Sequence, residues 1–169
     1  MSLPEPVYQV LRIERGTTVD GPGFRTAIYL AGCAHDCPGC HNPQSHDPAA
    51  GVSMTLSELM EVVREEDFDV TLTGGDPLMR PLQAAELMRA VRAEGHGIWL
   101  YTGYTWARIV AAEELLGAAS LADVVVDGPF VRALHDPDLL FRGSANQHLV
   151  DVRRTLAVGR LMEYTQPEC

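Results

Sequence analysis

The sequence has no long apolar run, no basic N-terminal segment and no excess of basic residues, and each absence excludes a class of protein. No apolar run reaches the roughly 18 residues that a membrane-spanning helix needs. The first ten residues, MSLPEPVYQV, lack the basic and apolar parts of a secretory signal, so we expect a cytoplasmic protein. The 13 basic and 23 acidic residues give a net charge of −10. Such a surface repels phosphate groups, which argues against nucleic acids and anionic membranes as partners.

The chain also lacks internal repeats, low-complexity segments and an evident linker. Its 169 residues correspond to one domain, which is large enough to bury a substantial core. Hydrophobic residues make up 46% of the chain and charged residues 21%, which is ordinary globular usage and excludes disordered, collagen-like and coiled-coil chains. We therefore predict a single domain over residues 1–169.

Strand-like and helix-like patterns alternate along most of the chain. Short apolar or β-branched segments predict strands, and amphipathic or capped segments between them predict helices. This alternation predicts an α/β fold, in which a mostly parallel sheet carries its helices on the outside. The predicted strands are 7–14, 24–30, 69–73, 98–101, 122–126 and 148–152; the predicted helices run from Thr55 or Ser57 to about 66, from 81 to about 94, and over 106–116.

The segments that follow these strands are rich in glycine, aspartate and proline. In parallel sheets, functional sites form where the strands end at their carboxyl edge. We therefore expect residues 31–46, 73–77, 102–104 and 127–130 to meet at one edge of the sheet. We also predict that residues 31–53 form one long loop, and such loops are usually functional.

The cysteines are concentrated in one of these segments. Cys33, Cys37 and Cys40 have the spacing C-x3-C-x2-C, and Cys169 is the only other cysteine. This clustering does not suit a disulfide framework, which spreads its cysteines to close long loops. Three thiolates on one loop suit a 4Fe–4S cluster, although such a cluster normally takes four cysteines. One iron would then lack a protein ligand, and an open metal position is typical of catalytic sites.

The same cysteines are also compatible with a structural zinc site. His35, His41 or His46 could complete a Cys3His set. Two observations weigh against zinc, because no second pair of ligands exists elsewhere in the sequence and a domain of this size needs no metal to fold. Cys169 could supply a fourth ligand, although thiols near a chain terminus are more often free.

A second motif, Gly74-Gly75-Asp76-Pro77, follows the predicted strand 69–73. Two consecutive glycines allow close approach of the backbone, whose N–H and C=O groups could hold the amino-acid portion of a small ligand. Taken alone, the same four residues are better explained as an ordinary turn. The motif becomes informative only in combination with the three-cysteine loop.

Together these motifs resemble the radical S-adenosylmethionine enzymes, whose hallmark is C-x3-C-x2-C. More narrowly, four segments resemble, in order, those of the activating proteins of anaerobic (class III) ribonucleoside-triphosphate reductase. The resemblance covers most of residues 7–155, which we take as the core, with 156–169 as an irregular tail. The four segments are VDGPGFRTAIYLAGCAHDCPGCHNP (19–43), LTGGDPL (72–78), IWLYTGY (98–104) and VVVDGPFVRALHDPDLLFRGSANQ (124–147).

The resemblance implies a fold, a cofactor and a reaction. The fold would be an open, partial (βα) barrel of the radical S-adenosylmethionine type, since a complete barrel needs about 250 residues. Cys33, Cys37 and Cys40 would be the catalytic metal ligands that hold a 4Fe–4S cluster. The open iron would bind S-adenosylmethionine, whose reductive cleavage starts a radical that ends on a glycine of the reductase. The residues implied to border the cofactor are Gly39, Cys40, His41, Gly74, Gly75, Asp76 and Thr102, with Asp127, Arg142 and Asn146 on the same edge.

The implied partners are the anaerobic reductase and a low-potential electron donor, with a homodimer as a possible assembly. Two alternatives stay open at this point. The chain could be another radical S-adenosylmethionine enzyme, acting on a different glycyl-radical protein or on a small molecule. It could also be a zinc or redox binding module without catalysis.

Overall fold

A mixed seven-stranded sheet forms the centre of the computed structural model, which describes residues 4–167. The strands are β1 (Val7–Thr17), β2 (Arg25–Leu30), β3 (Val52–Thr55), β4 (Asp69–Gly74), β5 (Ile98–Tyr101), β6 (Val124–Val126) and β7 (Leu149–Asp151). The helices are α1 (Leu56–Glu66), α2 (Pro81–Ala93), α3 (Trp106–Val110), α4 (Glu113–Ala119) and α5 (Val152–Val158). Short 3-10 turns lie at Pro43–Ser45, Pro77–Met79 and Arg132–Leu134.

The strand order is β3-β1-β2-β4-β5-β6-β7. The four central strands β2, β4, β5 and β6 are parallel, and β1, β3 and β7 pair antiparallel with their neighbours. Helices α1 to α4 lie in the crossovers between the central strands, as parallel pairing requires. The predicted α/β fold with a mostly parallel sheet is thus confirmed for the middle of the sheet.

Side chains alternate between the two faces of the central strands. Different parts of the chain pack against each face. On one face, buried residues such as Leu72, Leu100 and Val125 pack with the apolar sides of α1 to α4 in the main core. On the other face, Trp99, Val124 and Val126 pack against side chains outside these helices, namely Tyr101, Phe141, Leu149 and Tyr164. We call this second side the inner face. Within residues 4–167, no helix is long and apolar enough to cross a membrane.

The local sequence determines where helix α1 begins and ends. Thr55 is its N-cap, and a capping box joins the Thr55 side chain to the Glu58 backbone and the Glu58 side chain to the Thr55 backbone. The helix ends where Asp67 takes a left-handed conformation, with φ of 53°. Of the two predicted caps, Thr55 is therefore correct and Ser57 is not.

The predicted helix over 106–116 is wrong in one respect, because the structure has two helices there. Ala112 is extended, with φ of −130° and ψ of 117°, and separates α3 from α4. In one continuous helix, Ile109 and Leu115 would point about 120° apart. The break lets both side chains enter the main core, where they are buried.

Several other details also differ from the sequence prediction. The predicted loop over 31–53 contains a 3-10 turn and the start of β3, and β6 begins at Val124 rather than at 122. Helix α5 was missed, because only Val152 and Thr155 are buried in it and they leave a weak apolar pattern. Gly159 ends this helix in the left-handed region, with φ of 76°.

Candidate functional site

The four segments expected at the carboxyl edge of the parallel strands do meet there. The Gly75 N–H donates to the Leu30 carbonyl at 2.7 Å, which joins the ends of β2 and β4. The Thr102 N–H donates to Val126 at 3.0 Å, and the Gly128 N–H donates to Tyr104 at 2.8 Å. These bonds join β2 to β4 and β5 to β6, and the Thr102 hydroxyl, which donates to the Asp76 carboxylate at 2.8 Å, joins β5 to β4. The ends of the four strands therefore form one rim, as predicted from the strand pattern.

Residues 31–46, which we call the Cys loop, leave this rim directly after β2. The Gly32 N–H donates to the Ser45 carbonyl at 2.7 Å, so the loop closes on its own base. A tight turn follows, in which the Cys40 N–H donates to the Cys37 carbonyl at 3.1 Å. Gly39 lies in this turn with φ of 77°, a backbone conformation that suits glycine.

The three thiols of the Cys loop are free and partly exposed. The backbone N–H of Asn42 donates to the Cys40 sulfur at 3.4 Å, the kind of hydrogen bond that stabilises a metal-bound thiolate. Burial, the largest effect, raises the pKa of the Cys33 thiol. Soft sulfur donors on one accessible loop suit an iron–sulfur cluster.

A single zinc ion fits this arrangement less well. Zinc needs four donors at about 2.0–2.3 Å from one point. The His35 ring is bonded to Asp76, and the His41 ring lies against Phe130. Two of the three candidate histidine ligands are therefore engaged elsewhere, while the buried Nε2 of His46 has no hydrogen-bond partner among the described residues. Three cysteines on one loop suit a cluster, whose thiolates bind separate irons.

The two glycines after β4 are required by close packing. Gly74 has φ of +114°, and a Cβ there would lie 2.3 Å from the Leu30 carbonyl oxygen. A Cβ on Gly75 would lie 2.5 Å from the Gly32 carbonyl oxygen. The Gly75 N–H is already paired with Leu30, so this N–H is not available to a ligand. The glycines therefore dock the turn onto β2 and the Cys loop.

Asp76 fixes this turn from within. Its side chain is 0% exposed. One carboxylate oxygen accepts from the Leu78 N–H at 2.9 Å, and the other accepts from the Thr102 hydroxyl at 2.8 Å. The second oxygen also accepts from the Gly103 N–H at 2.9 Å and from His35 Nε2 at 2.5 Å. Four donors of the protein thus converge on this buried carboxylate, three of them on one oxygen.

Thr102 and Asp127 are likewise turned into the protein. Thr102 is buried, and its hydroxyl also accepts from the Tyr104 N–H at 3.1 Å. The buried Asp127 carboxylate accepts from the Trp106 N–H at 2.6 Å and from the backbone and ring of His148 at 2.8 and 2.9 Å. Asp127 thus holds the start of α3 and the strand β7 at the rim.

The far end of the Cys loop borders a groove on the inner face. The His41 ring lies 4.9 Å from the Phe130 ring, and the Gly39 position faces Phe130 and Arg132. The groove encloses about 310 Å³. We call it the inner groove; its lining includes Asp20, His41, Tyr101, His135 and Arg142.

Two polar side chains in the segment after Phe141 have buried atoms without a hydrogen-bond partner within residues 4–167. The Nε of Arg142 and the Oδ1 of Asn146 are buried without a hydrogen-bond partner among the described residues. Asn146 is nevertheless anchored, since its side-chain N–H donates to the Pro129 carbonyl at 2.8 Å.

A second cavity, of about 240 Å³, lies on the helix side of the Cys loop, between Tyr8, Cys33, Met79 and Gln83.

Sequence reasoning missed two residues that build this site. His35 was considered only as a zinc ligand, and Gly103 only as part of the segment 102–104 that was expected at this edge. A polar residue between the first two cysteines was the available signal for His35. The buried Arg25 was missed as well; its guanidinium donates to the Thr71 hydroxyl at 2.8 Å and to the Val70 carbonyl at 2.9 Å on the inner face.

Comparison with known proteins identifies the kind of domain that carries this site. A family model described as a 4Fe-4S single cluster domain matches residues 19–150, which include the Cys loop and the whole rim. The chain therefore carries a domain of the type that holds one iron–sulfur cluster.

The curated relatives give the narrower family. The chain is 36% identical over 140 residues to the anaerobic ribonucleoside-triphosphate reductase-activating protein of Escherichia coli K12, covering 76% of this chain and 89% of that protein. Proteins of the same name are 37% identical in Pasteurella multocida (76% of this chain, 88% of that protein) and 34% identical in Enterobacteria phage T4 (78% and 86%). The chain belongs to the family of anaerobic ribonucleoside-triphosphate reductase-activating proteins.

Proposed function

We propose that this protein is a radical S-adenosylmethionine enzyme that places a glycyl radical on an anaerobic ribonucleoside-triphosphate reductase. The observation that carries the proposal is the Cys loop itself. It presents three free, partly exposed thiols, docked on the ends of β2 and β4. The names of the relatives, all activating proteins of this reductase, support the choice of target.

The chemistry needs a cluster with one iron left open by the protein. When bound, the cluster would pass one electron from a low-potential donor to S-adenosylmethionine, giving methionine and a 5′-deoxyadenosyl radical that takes one hydrogen atom from a glycine Cα. Cys33, Cys37 and Cys40 would be the three protein ligands. Such cofactor chemistry leaves binding, orientation and the exclusion of water to the protein.

The chain's own residues supply these functions in the proposal. Gly39, Cys40 and His41 would border the cofactor at the mouth of the inner groove. Gly74 and Gly75 bring the turn against the Cys loop, so the methionine end would lie beside backbone carbonyls rather than the paired Gly75 N–H. Asp76 and Thr102 would act through the position of this turn, because both side chains are buried and hydrogen-bonded within the protein.

The open sheet suits a protein substrate. Within residues 4–167, β3 and β7 are the two outer strands of the sheet. In the proposal, the inner face is the inside of an open, partial (βα) barrel of the radical S-adenosylmethionine type. The aromatic side chains of Trp99, Phe141 and Tyr164 fill its floor and would keep water away. A glycine-bearing loop of the reductase would enter from the open side.

One assay tests the proposal. The protein is purified anaerobically, reconstituted with iron and sulfide, and mixed with S-adenosylmethionine, a strong reductant and the anaerobic reductase. We expect 5′-deoxyadenosine together with a glycyl-radical signal on the reductase in electron paramagnetic resonance. Deoxyadenosine without that signal would favour another substrate. A colourless protein that holds only zinc after reconstitution would overturn the proposal.

A further inference from the structure

His35 lies between the first two cysteines, and its side chain enters the rim. Its side chain is 17% exposed, and its Nε2 lies 2.5 Å from the Asp76 carboxylate. Because an ionised carboxylate only accepts, Nε2 is the donor. The ring also meets Tyr104 edge to face, with 4.7 Å between centroids.

The end of β5 is shaped to receive this ring. A Cβ on Gly103 would lie 2.3 Å from Cδ2 and 2.7 Å from Nε2 of His35, so only glycine leaves room for the imidazole. The Gly103 N–H donates to the same Asp76 oxygen that His35 contacts. His35, Asp76 and Gly103 therefore form one interlocked group, although they come from three separate parts of the chain.

Asp76 holds the Cys33 region at two points. Its backbone N–H donates to the carbonyl of Gly32, one residue before Cys33, at 2.9 Å. Its carboxylate holds His35, two residues after Cys33. The first cysteine is thus fixed from both sides by one residue, which is itself tied to β5 through Thr102.

We infer that His35 is a positioning residue, whose contact with Asp76 and Gly103 fixes the Cys loop in the arrangement that holds the cluster. The inference rests on the proposed function only in that Cys33, Cys37 and Cys40 are taken as the cluster ligands. It needs no step of the radical reaction. Residues that do not bind the metal but orient its ligands typically contribute about 10- to 100-fold to metal affinity.

The first test measures cluster retention without S-adenosylmethionine. Anaerobically reconstituted His35→Ala should release iron to a chelator about 10- to 100-fold faster than the wild type. His35→Gln should recover most of the retention, because a glutamine amide can place an N–H near the position of Nε2. The matched control is His96→Ala, since His96 also faces an aspartate, Asp67, at 3.8 Å, but before β5 and away from the rim.

The second test displaces the His35 ring by adding a side chain at Gly103, so that His35 itself is unchanged. Gly103→Ala should release iron as fast as His35→Ala, and the double variant should be no worse than either, since contacting residues are not additive. Gly117→Ala is the control, because a Cβ there meets nothing within 4 Å. Additive losses, or wild-type retention in His35→Ala, would overturn the inference. So would a His35→Gln variant no better than His35→Ala.

A third readout uses the metal-free protein, so it does not depend on the cluster. Amide hydrogen exchange over residues 32–37 should accelerate in His35→Ala and Gly103→Ala, while α1 keeps its protection. Unchanged exchange in the loop would overturn the inference even if activity fell. If the wild type failed to cleave S-adenosylmethionine, the proposed function would fail, but the retention and exchange results would still decide the role of His35.

Discussion

The hydroxyl of Tyr101 donates a hydrogen bond to the backbone carbonyl of Phe141, with 2.7 Å between the two oxygens. Phe141 has φ of 60°, an uncommon value for a bulky residue, and its ring meets Trp99 edge to face at 5.3 Å. The bond therefore anchors a strained turn to the inner face, beside Arg142 of the inner groove.

Tyr101→Phe should loosen this turn. Loss of one hydrogen bond is expected to lower the free energy of unfolding by about 0.5–1.5 kcal/mol, and limited proteolysis between Phe130 and Gln147 should become faster. Urea unfolding and mass spectrometry of the fragments measure both effects. Tyr164→Phe is the matched control, because Tyr164 also packs on Trp99 but its hydroxyl donates no hydrogen bond within residues 4–167. Equal effects in the two variants would contradict the assignment.

Asp127→Asn should destabilise the rim. The buried carboxylate accepts three hydrogen bonds, and an amide would turn an N–H toward at least one of these donors. We expect the free energy of unfolding to fall by about 1–3 kcal/mol in urea titrations. The exposed Asp138, changed to Asn, serves as the control. A variant that unfolds at the wild-type urea concentration would show that Asp127 does not hold α3 and β7 together.

Gly75→Val should weaken both the fold and cofactor binding. Even the first side-chain carbon would lie 2.5 Å from the Gly32 oxygen, so the Cys loop must move. Overpacking of this kind costs about 1–3 kcal/mol, and we expect S-adenosylmethionine to bind the reconstituted variant more weakly. Thermal unfolding and equilibrium dialysis measure the two effects. Unchanged affinity would remove the glycine turn from the proposed site.

Cys37→Ala should abolish S-adenosylmethionine cleavage and leave the fold largely intact, because the Cys loop lies outside both hydrophobic clusters. Circular dichroism and 5′-deoxyadenosine release measure the two properties. The matched control is Cys169→Ala, in which the changed residue lies outside the described residues. This variant should keep its iron and its activity. If it lost the cluster as Cys37→Ala does, three-thiolate coordination would be wrong.

Stability of the metal-free protein should fall at alkaline pH. Burial raises the pKa of the Tyr8 and Tyr101 hydroxyls, whereas an unfolded tyrosine titrates near pH 10. Above about pH 10 the unfolded chain therefore releases protons that the folded chain keeps, and the free energy of unfolding decreases. Urea titrations across this range should show a shallower decline in Tyr8→Phe. An equal slope in variant and wild type would exclude a contribution from Tyr8.

The sheet and the rim could be predicted because their signals are local. The apolar segment 98–101 matches β5, and the polar segments after each strand meet as parallel pairing requires. The contact between His35 and Asp76 could not be predicted, because it joins residues 41 positions apart and depends on the absence of a side chain at Gly103. Ligand roles for Gly39, His41 and Gly74 stay predictions, as does the homodimer.

The helices α1 to α4 all pack on one side of the sheet, while irregular segments and few side chains cover the other. Because the central strands are parallel, the sheet also has two distinct edges: the cysteines follow the carboxyl end of β2, whereas Gly95 precedes β5. A purification tag, a fluorophore or a surface anchor inserted near Gly95, at the open turn after α2, would sit at the sheet edge opposite the cysteines. Immobilised in that way, the protein would present its thiols outward to any large molecule in solution.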